Sequence, residues 1–240
     1  GVTTATKFVG DGSELTGVAS TENLRTNTNA TFLQNINVGV AITAGKLGIG
    51  FTDTNIKIGS GAADALTTGG NNTAVGYDAM TNTTSGGSNT AVGKDALKTN
   101  TTGSSNAALG ENSLELNTTG SSNTGIRKDA LRANTTASDN TAVGHEALEL
   151  NSTGASNTIV GSGAGRSNTT ASNNTGVGYY ALRSNTTGTQ NTALGSGCLT
   201  ANTTADENTA VGYIALNDNT TGSLNTAGGA YCLDVNTTGA

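Results

Sequence analysis

Asn89-Thr90-Ala91-Val92-Gly93-Lys94-Asp95-Ala96-Leu97-Lys98-Thr99-Asn100-Thr101-Thr102-Gly103-Ser104-Ser105 is one copy of a 17-residue unit that repeats along most of this chain. Its opening asparagine recurs at Asn55, Asn72, Asn106, Asn123, Asn140, Asn157, Asn174, Asn191, Asn208 and Asn225, without a slip in spacing. Self-similarity at a fixed period marks a chain of small units that bury apolar surface against one another rather than each alone. The unit therefore governs the fold of residues 55–240.

Aligned on that asparagine, the copies define columns. The Val92 column reads Ile58, Val75, Val92, Leu109, Ile126, Val143, Val160, Val177, Leu194 and Val211 before Gly228 breaks it, and it is expected to point into a core. The Leu97 column (Met80, Leu97, Leu114, Leu131, Leu148, Leu182, Leu199, Leu216 and Leu233, interrupted at Gly165) is a second apolar line. The Ala96 column admits only Ala, Ser and Cys, which implies close approach of another backbone. Two large apolar positions and two turn clusters in so short a unit do not make an amphipathic helix pair. Two short strands per coil do fit, at Thr90 to Val92 and at Ala96 to Lys98, with Gly93 and the Asn100 to Gly103 cluster turning the chain. The expected fold is all-β: a β-solenoid, or parallel β-roll, of about eleven coils, rising about 50 Å at the usual strand spacing. The coil-opening asparagine is expected to bond nearby backbone and to stack its amide on its neighbours as a ladder. Arg127 is the one non-glycine in the Gly93 column, and it is strained if that column requires positive φ.

Leu, Ile, Val and Phe make only 41 of 240 residues and the net charge is -6, a profile that taken alone describes a disordered chain. The unbroken register overrules it. Thirty-five glycines and no proline suit a chain that turns tightly and keeps its backbone N–H groups for ladder bonds. A pI near 4.6 with no basic stripe argues against nucleic acid as a partner. There is no run of 18 apolar residues, so no membrane insertion is expected, and no signal-peptide pattern. The chain opens at Gly1 and its last copy stops one residue short of a full period, so it is read as a piece of something longer.

So few apolar side chains per coil core a single chain thinly, and the sequence is expected to form a parallel homotrimer, with the Ala96 column as the place where chains approach. Residues 1–54 are expected to be a short β-rich region leading into the rod, because 35–42 and 46–51 alternate as strands do. That region also suits a cap on the first coil's open edge.

The search for chemistry yields little. His145 stands in a column that otherwise reads Tyr77, Lys94, Glu111, Lys128, Ser162, Tyr179, Ser196, Tyr213 and Ala230, and it is read as a solvated side chain. No nucleophile, base and orienting group recur together, so no enzyme activity, cofactor or metal site is assigned. Cys198 and Cys232 lie two coils apart, farther than a disulfide spans, and are expected to be free. Gly161-Ser162-Gly163-Ala164-Gly165 lacks the strand-to-helix context of a phosphate loop. The Asn100-Thr101-Thr102 type of segment matches the glycosylation pattern, but a turn requirement already produces those letters. Tyr179, Tyr180, Tyr213 and Tyr231 gather in the carboxy-terminal third and are the candidate surface contacts, since exposed tyrosines stack on sugar rings or anchor partners.

The unit Asn-Thr-Ala-Val-Gly-x-x-Ala-Leu-x-x-Asn-Thr-Thr-Gly-x-x resembles repeats of bacteriophage tail-fibre proteins. It is also similar, with a longer coil, to the β-roll heads of trimeric autotransporter adhesins. The stretch from Val2 to Val18 resembles a segment of fibre proteins of marine tailed phages, especially cyanophages. The resemblance implies a non-enzymatic, trimeric, host-attachment appendage of the virion. Its partners would be other fibre or baseplate proteins and a host cell-surface glycan or protein. The alternatives are an extracellular bacterial adhesin head and an ice-binding or filament-forming solenoid. Against ice binding stands the reading that the threonines come as Thr-Thr pairs in a turn rather than alternating on a strand face.

Overall fold

The computed structural model describes residues 54–239. The expected amino-terminal region, with its strands over 35–42 and 46–51, lies outside the described residues apart from Thr54.

Each coil carries one three-residue strand at the same place in the repeat. These are β1 (Ile56–Ile58), β2 (Thr73–Val75), β3 (Thr90–Val92), β4 (Ala107–Leu109), β5 (Thr124–Ile126) and β6 (Thr141–Val143). They continue as β7 (Thr158–Val160), β8 (Thr175–Val177), β9 (Thr192–Leu194), β10 (Thr209–Val211) and β11 (Thr226–Gly228). All eleven pair in chain order as one parallel sheet. Every pairing joins residues one period apart, as in Thr90↔Ala107, Ala91↔Ala108 and Val92↔Leu109. The chain is the expected β-solenoid, each copy wrapping once and lying on the one before.

The second strand is a correction. Ala96 to Lys98 lies in a run of turns, because Asp95 (φ 56°) and Leu97 (φ 53°) both take left-handed backbone, which a strand excludes. Stacking survives without a strand. The Leu97 N–H donates to Ser113 O in the next coil at 3.0 Å, and the Asp95 N–H donates to Tyr77 O in the previous coil at 2.9 Å. The backbone therefore holds its neighbours on both sides even where it bends.

The Val92 column is the second correction. Successive residues of a strand face opposite ways, and in these strands the middle residue points inward: Ala91 is buried while Val92 is 39% exposed. The core of a coil is instead made of the Ala91, Ala96 and Leu97 columns with the two asparagines Asn89 and Asn100, all fully buried. The Ala96 column, expected between chains, faces the strands within the same chain. Ser113, which occupies it in one coil, donates its hydroxyl to Gly125 O of the next coil's strand at 2.8 Å, so the two walls nearly touch. Small residues there reflect a thin coil.

The asparagine ladder is present, and it is double. Asn89 Nδ2 donates to Gly103 O at 2.9 Å, closing its own coil. Asn89 Oδ1 accepts the backbone N–H of Asn106 at 2.9 Å, binding the next coil. Across the same carbonyl, Asn100 Nδ2 also donates to Gly103 O at 2.9 Å, and Asn117 Nδ2 donates to Asn100 Oδ1 at 2.9 Å. Two of the five buried columns of a coil are thus hydrogen-bonded amide, which compensates for scarce apolar volume by pairing the buried polar groups of the turns.

Thr83 stands where later coils carry the second asparagine, and its buried hydroxyl finds no partner. Thr83→Asn is expected to extend the ladder onto Asn100 and raise stability by about 1 kcal/mol, read from the urea midpoint.

The Gly93 column does require positive φ, from 122° at Gly229 to 148° at Gly144, and a Cβ on Gly93 would stand 2.6 Å from Gly110 O of the next coil. Arg127 is held at φ 91° in that column. Arg127→Gly is expected to gain about 1–3 kcal/mol by removing that strain, seen as a higher thermal midpoint.

Candidate functional site: a strand face and a tyrosine cluster

Because Ala91 and its equivalents point inward, the first and third residues of every strand point out. Nine of the eleven strands begin with threonine, the exceptions being Ile56 and Ala107, and ten end in Val, Ile or Leu. No charged side chain occupies either outward column from β1 to β11. The result is an uncharged ribbon of hydroxyls beside branched aliphatics, with Ile58 48%, Val177 40% and Val211 44% exposed. Ten steps of about 4.8 Å make it roughly 48 Å long. That continuity makes this face the candidate contact surface. Sequence reasoning missed this face, although its signal was in hand: the Thr-x-Val pattern sits inside the one strand placed correctly.

Beside that ribbon, the columns after the glycine turn carry the charges. Arg166 Nε meets Glu149 Oε2 at 2.7 Å and Glu146 Oε2 at 3.1 Å, Lys128 meets Glu111 at 3.2 Å, and Lys98 meets Asp95 at 2.9 Å. Burial raises the Asp95 carboxyl, but hydrogen bonds and attraction from Lys98 and Lys94 outweigh it and hold the pKa below the usual carboxylate range. The Arg166 and Lys128 pairs join neighbouring coils along the rod, the Lys98–Asp95 pair lies within one coil, and none converges on a cavity. Exposed pairs of this kind contribute little each.

The tyrosines lie in the same columns. Tyr179 and Tyr180 stack with ring centroids 3.8 Å apart, and the Arg183 guanidinium caps Tyr180 at 4.4 Å. The hydrogen bond with Tyr180 is the main cause that raises the Tyr179 hydroxyl above the usual phenol range. Tyr213 and Tyr231, from adjacent coils, meet edge to face at 5.3 Å. Three of the four are about half exposed and Tyr180 is partly covered. The structure therefore forms two pairs on one flank.

His145 is half-buried in the charged column. Among the described residues no group of three or more His, Cys, Asp or Glu is placed to hold a metal. Cys198 and Cys232 are free, and burial raises the Cys198 thiol pKa. The sequon asparagines of the inner ladder from Asn100 to Asn219 are buried and hydrogen-bonded, as Asn100 and Asn117 show, which leaves their amides inaccessible to glycan transfer. Among the described residues no helix is long and apolar enough to cross a membrane. No family model, no curated protein and no solved structure matches this chain.

Proposed function

We propose that this chain is a non-enzymatic structural segment of a tailed-phage fibre. In this reading three parallel copies assemble into a host-attachment appendage of the virion. The observation that carries the reading is the uncharged Thr/Val ribbon, continuous over all eleven strands and unpartnered in one chain. Three such ribbons facing a common axis bury the aliphatic stripe that a lone chain leaves in water. Interchain contact thus moves from the Ala96 column to the strand face. The repeat unit and the Val2 to Val18 segment supply the phage half of the proposal by resemblance. Other fibre or baseplate proteins hold the rod, and a host-surface glycan or protein is its target, with affinity multiplied by threefold presentation. Antibody raised against residues 55–240 is expected to decorate the tail appendage of the encoding phage in electron micrographs, and its Fab fragments to block adsorption. Labelling of a bacterial cell surface instead would favour the adhesin-head alternative.

A second reading gains from the same face. Threonine hydroxyls such as those of Thr90, Thr141 and Thr175 form a regular outward rank on the parallel sheet, in place of the turn-bound pairs that argued against ice binding. The turn threonines are otherwise employed, as Thr101 Oγ1 donates to Thr118 O at 3.1 Å. Thermal hysteresis in a freezing-point assay is the expected mark of an ice-binding face, and its absence removes this reading.

A further inference from the structure

We propose that Tyr179, Ser196 and Tyr213 form a subsite for one ring of a neutral saccharide on the flank of the rod, an inference that rests on the attachment reading above. The three residues occupy one column in successive coils, so the two tyrosine Cα atoms stand about 10 Å apart, two strand spacings, with a serine between them. Each bounding ring has an aromatic partner. Tyr180, on which Tyr179 stacks, lies over Gly163 of the preceding coil, where a Cβ would collide with its ring. Tyr231, which meets Tyr213, comes from the following coil. Ser196 is followed by Gly197 where the neighbouring coils carry Tyr180 and Ile214, and Gly197 stays partly exposed whereas Gly163, in the other Ser-Gly row beside the cluster, is buried.

The floor and rim have the chemistry of a sugar site. A Cβ on Gly197 would stand 3.2 Å from Cγ1 of Ile214, so an aliphatic side chain covers the base beside the serine hydroxyl. Asn217 is anchored at the rim by donating Nδ2 to Gly197 O at 3.0 Å, which presents its Oδ1 as an acceptor. Aromatic walls with a few fixed polar groups suit a ring that offers C–H faces and hydroxyl edges. Tyr179, Ser196, Tyr213, Ile214 and Asn217 carry no charge, and the cation next to the cluster, Arg183, is held over the Tyr180 ring, which suits a neutral ligand. Ile214 is a β-branched residue at φ 60°, in a column otherwise filled by Gly, Asp, Asn, Glu and Tyr, so its side chain over Gly197 is kept at a cost in backbone strain that the other residue types of this left-handed column bear less.

Saturation-transfer NMR on the full chain, with the methyl glycosides of glucose, galactose and N-acetylglucosamine as probes, tests the subsite. Transfer to at least one glycoside is expected. Ser196→Tyr, which places in the gap a residue the same column accepts at Tyr179 and Tyr213, is expected to weaken that binding at least tenfold. Lys94→Tyr, the same change far along the rod, is expected to leave it unaltered. Ile214→Asn is expected to raise the thermal midpoint while weakening the glycoside. No transfer to any of the three probes, or transfer unchanged in Ser196→Tyr, overturns the subsite. Glycoside binding that persists while phage particles carry no antibody label counts against attachment and leaves the subsite standing.

Discussion

Asn123→Ala is expected to destabilise the rod by about 3–5 kcal/mol, a large share of what holds a chain this thinly cored. The change deletes Asn123 Oδ1, which accepts the buried backbone N–H of Asn140 at 3.0 Å, and Nδ2, which donates to Ala137 O at 2.8 Å. Ala137 O keeps its second donor, Asn134 Nδ2 at 3.0 Å, so the uncompensated loss is the Asn140 N–H together with the stacking bond from Asn123 Nδ2 to Asn106 Oδ1 at 3.2 Å. A buried donor without an acceptor costs about 1–3 kcal/mol by itself, and the surrendered amide bonds and a small void supply the rest. The damage lies in mid-rod, where each coil depends on both neighbours, so the unfolding transition should broaden or split as the halves uncouple. Chemical denaturation followed by circular dichroism reads both effects. Asn123→Asp makes the amide's role separable from its shape. A carboxyl in this dry position has its folded pKa raised above the unfolded value, so its deficit should shrink as pH falls towards and below the ordinary carboxylate range and be largest at neutral pH. A stability loss under 1 kcal/mol for Asn123→Ala would mean that the ladder is ornament rather than core.

Ile159→Ala is expected to cost about 2–4 kcal/mol, and Gly165→Leu placed in the same chain to restore most of it. Ile159 occupies the inward strand position that alanine or glycine fills in every other described coil except β1, and its coil is also the one with glycine in the Leu97 column. The two departures are one exchange of volume across the coil. A Cβ on Gly165 would stand 3.4 Å from both Cγ atoms of Ile159 and 3.1 Å from Cδ2 of Leu148. Gly176 in the next strand also yields to the intruder, since a Cβ there would lie 2.9 Å from Cδ1 of Ile159. Alanine at 159 therefore opens a cavity with no leucine to fill it, while leucine at 165 alone crowds the isoleucine and costs about 1–3 kcal/mol. Leucine tolerates the left-handed backbone here as it does at Leu148 and Leu182, whose φ values are 51° and 56° against 56° for Gly165. A double-mutant cycle with additive single effects would contradict the exchange.

Periodicity made the coil, its parallel stacking, the asparagine ladder and the inward Leu97 column legible from the letters, and left open whether the Gly93 column demanded positive φ or close packing. Orientation of the strand was not legible. The constancy of the Val92 column reports a constant environment, and a continuous contact face produces constancy as readily as a core does. The deciding residue was Ala91, whose small side chain gave no sign that it was the inward one. The missing second strand has a related cause: left-handed backbone at Asp95, Tyr180 or Leu97 carries no local signature when glycine is absent. The tyrosine clustering was visible in sequence, and a column reading of Tyr179, Ser196 and Tyr213 already holds the two-coil gap. Its bracing needed coordinates, because the lean of Tyr180 over Gly163 depends on side-chain direction.

Sedimentation equilibrium of the 240-residue chain tests the fibre proposal most directly. Three parallel copies joined along their Thr/Val ribbons predict about 71 kDa, three times the 23.6 kDa of one chain, and Val177→Asp, which sets a charge on the ribbon in each copy, should lower that mass toward one chain. A mass of 23.6 kDa for the unaltered chain at micromolar concentration would contradict the account.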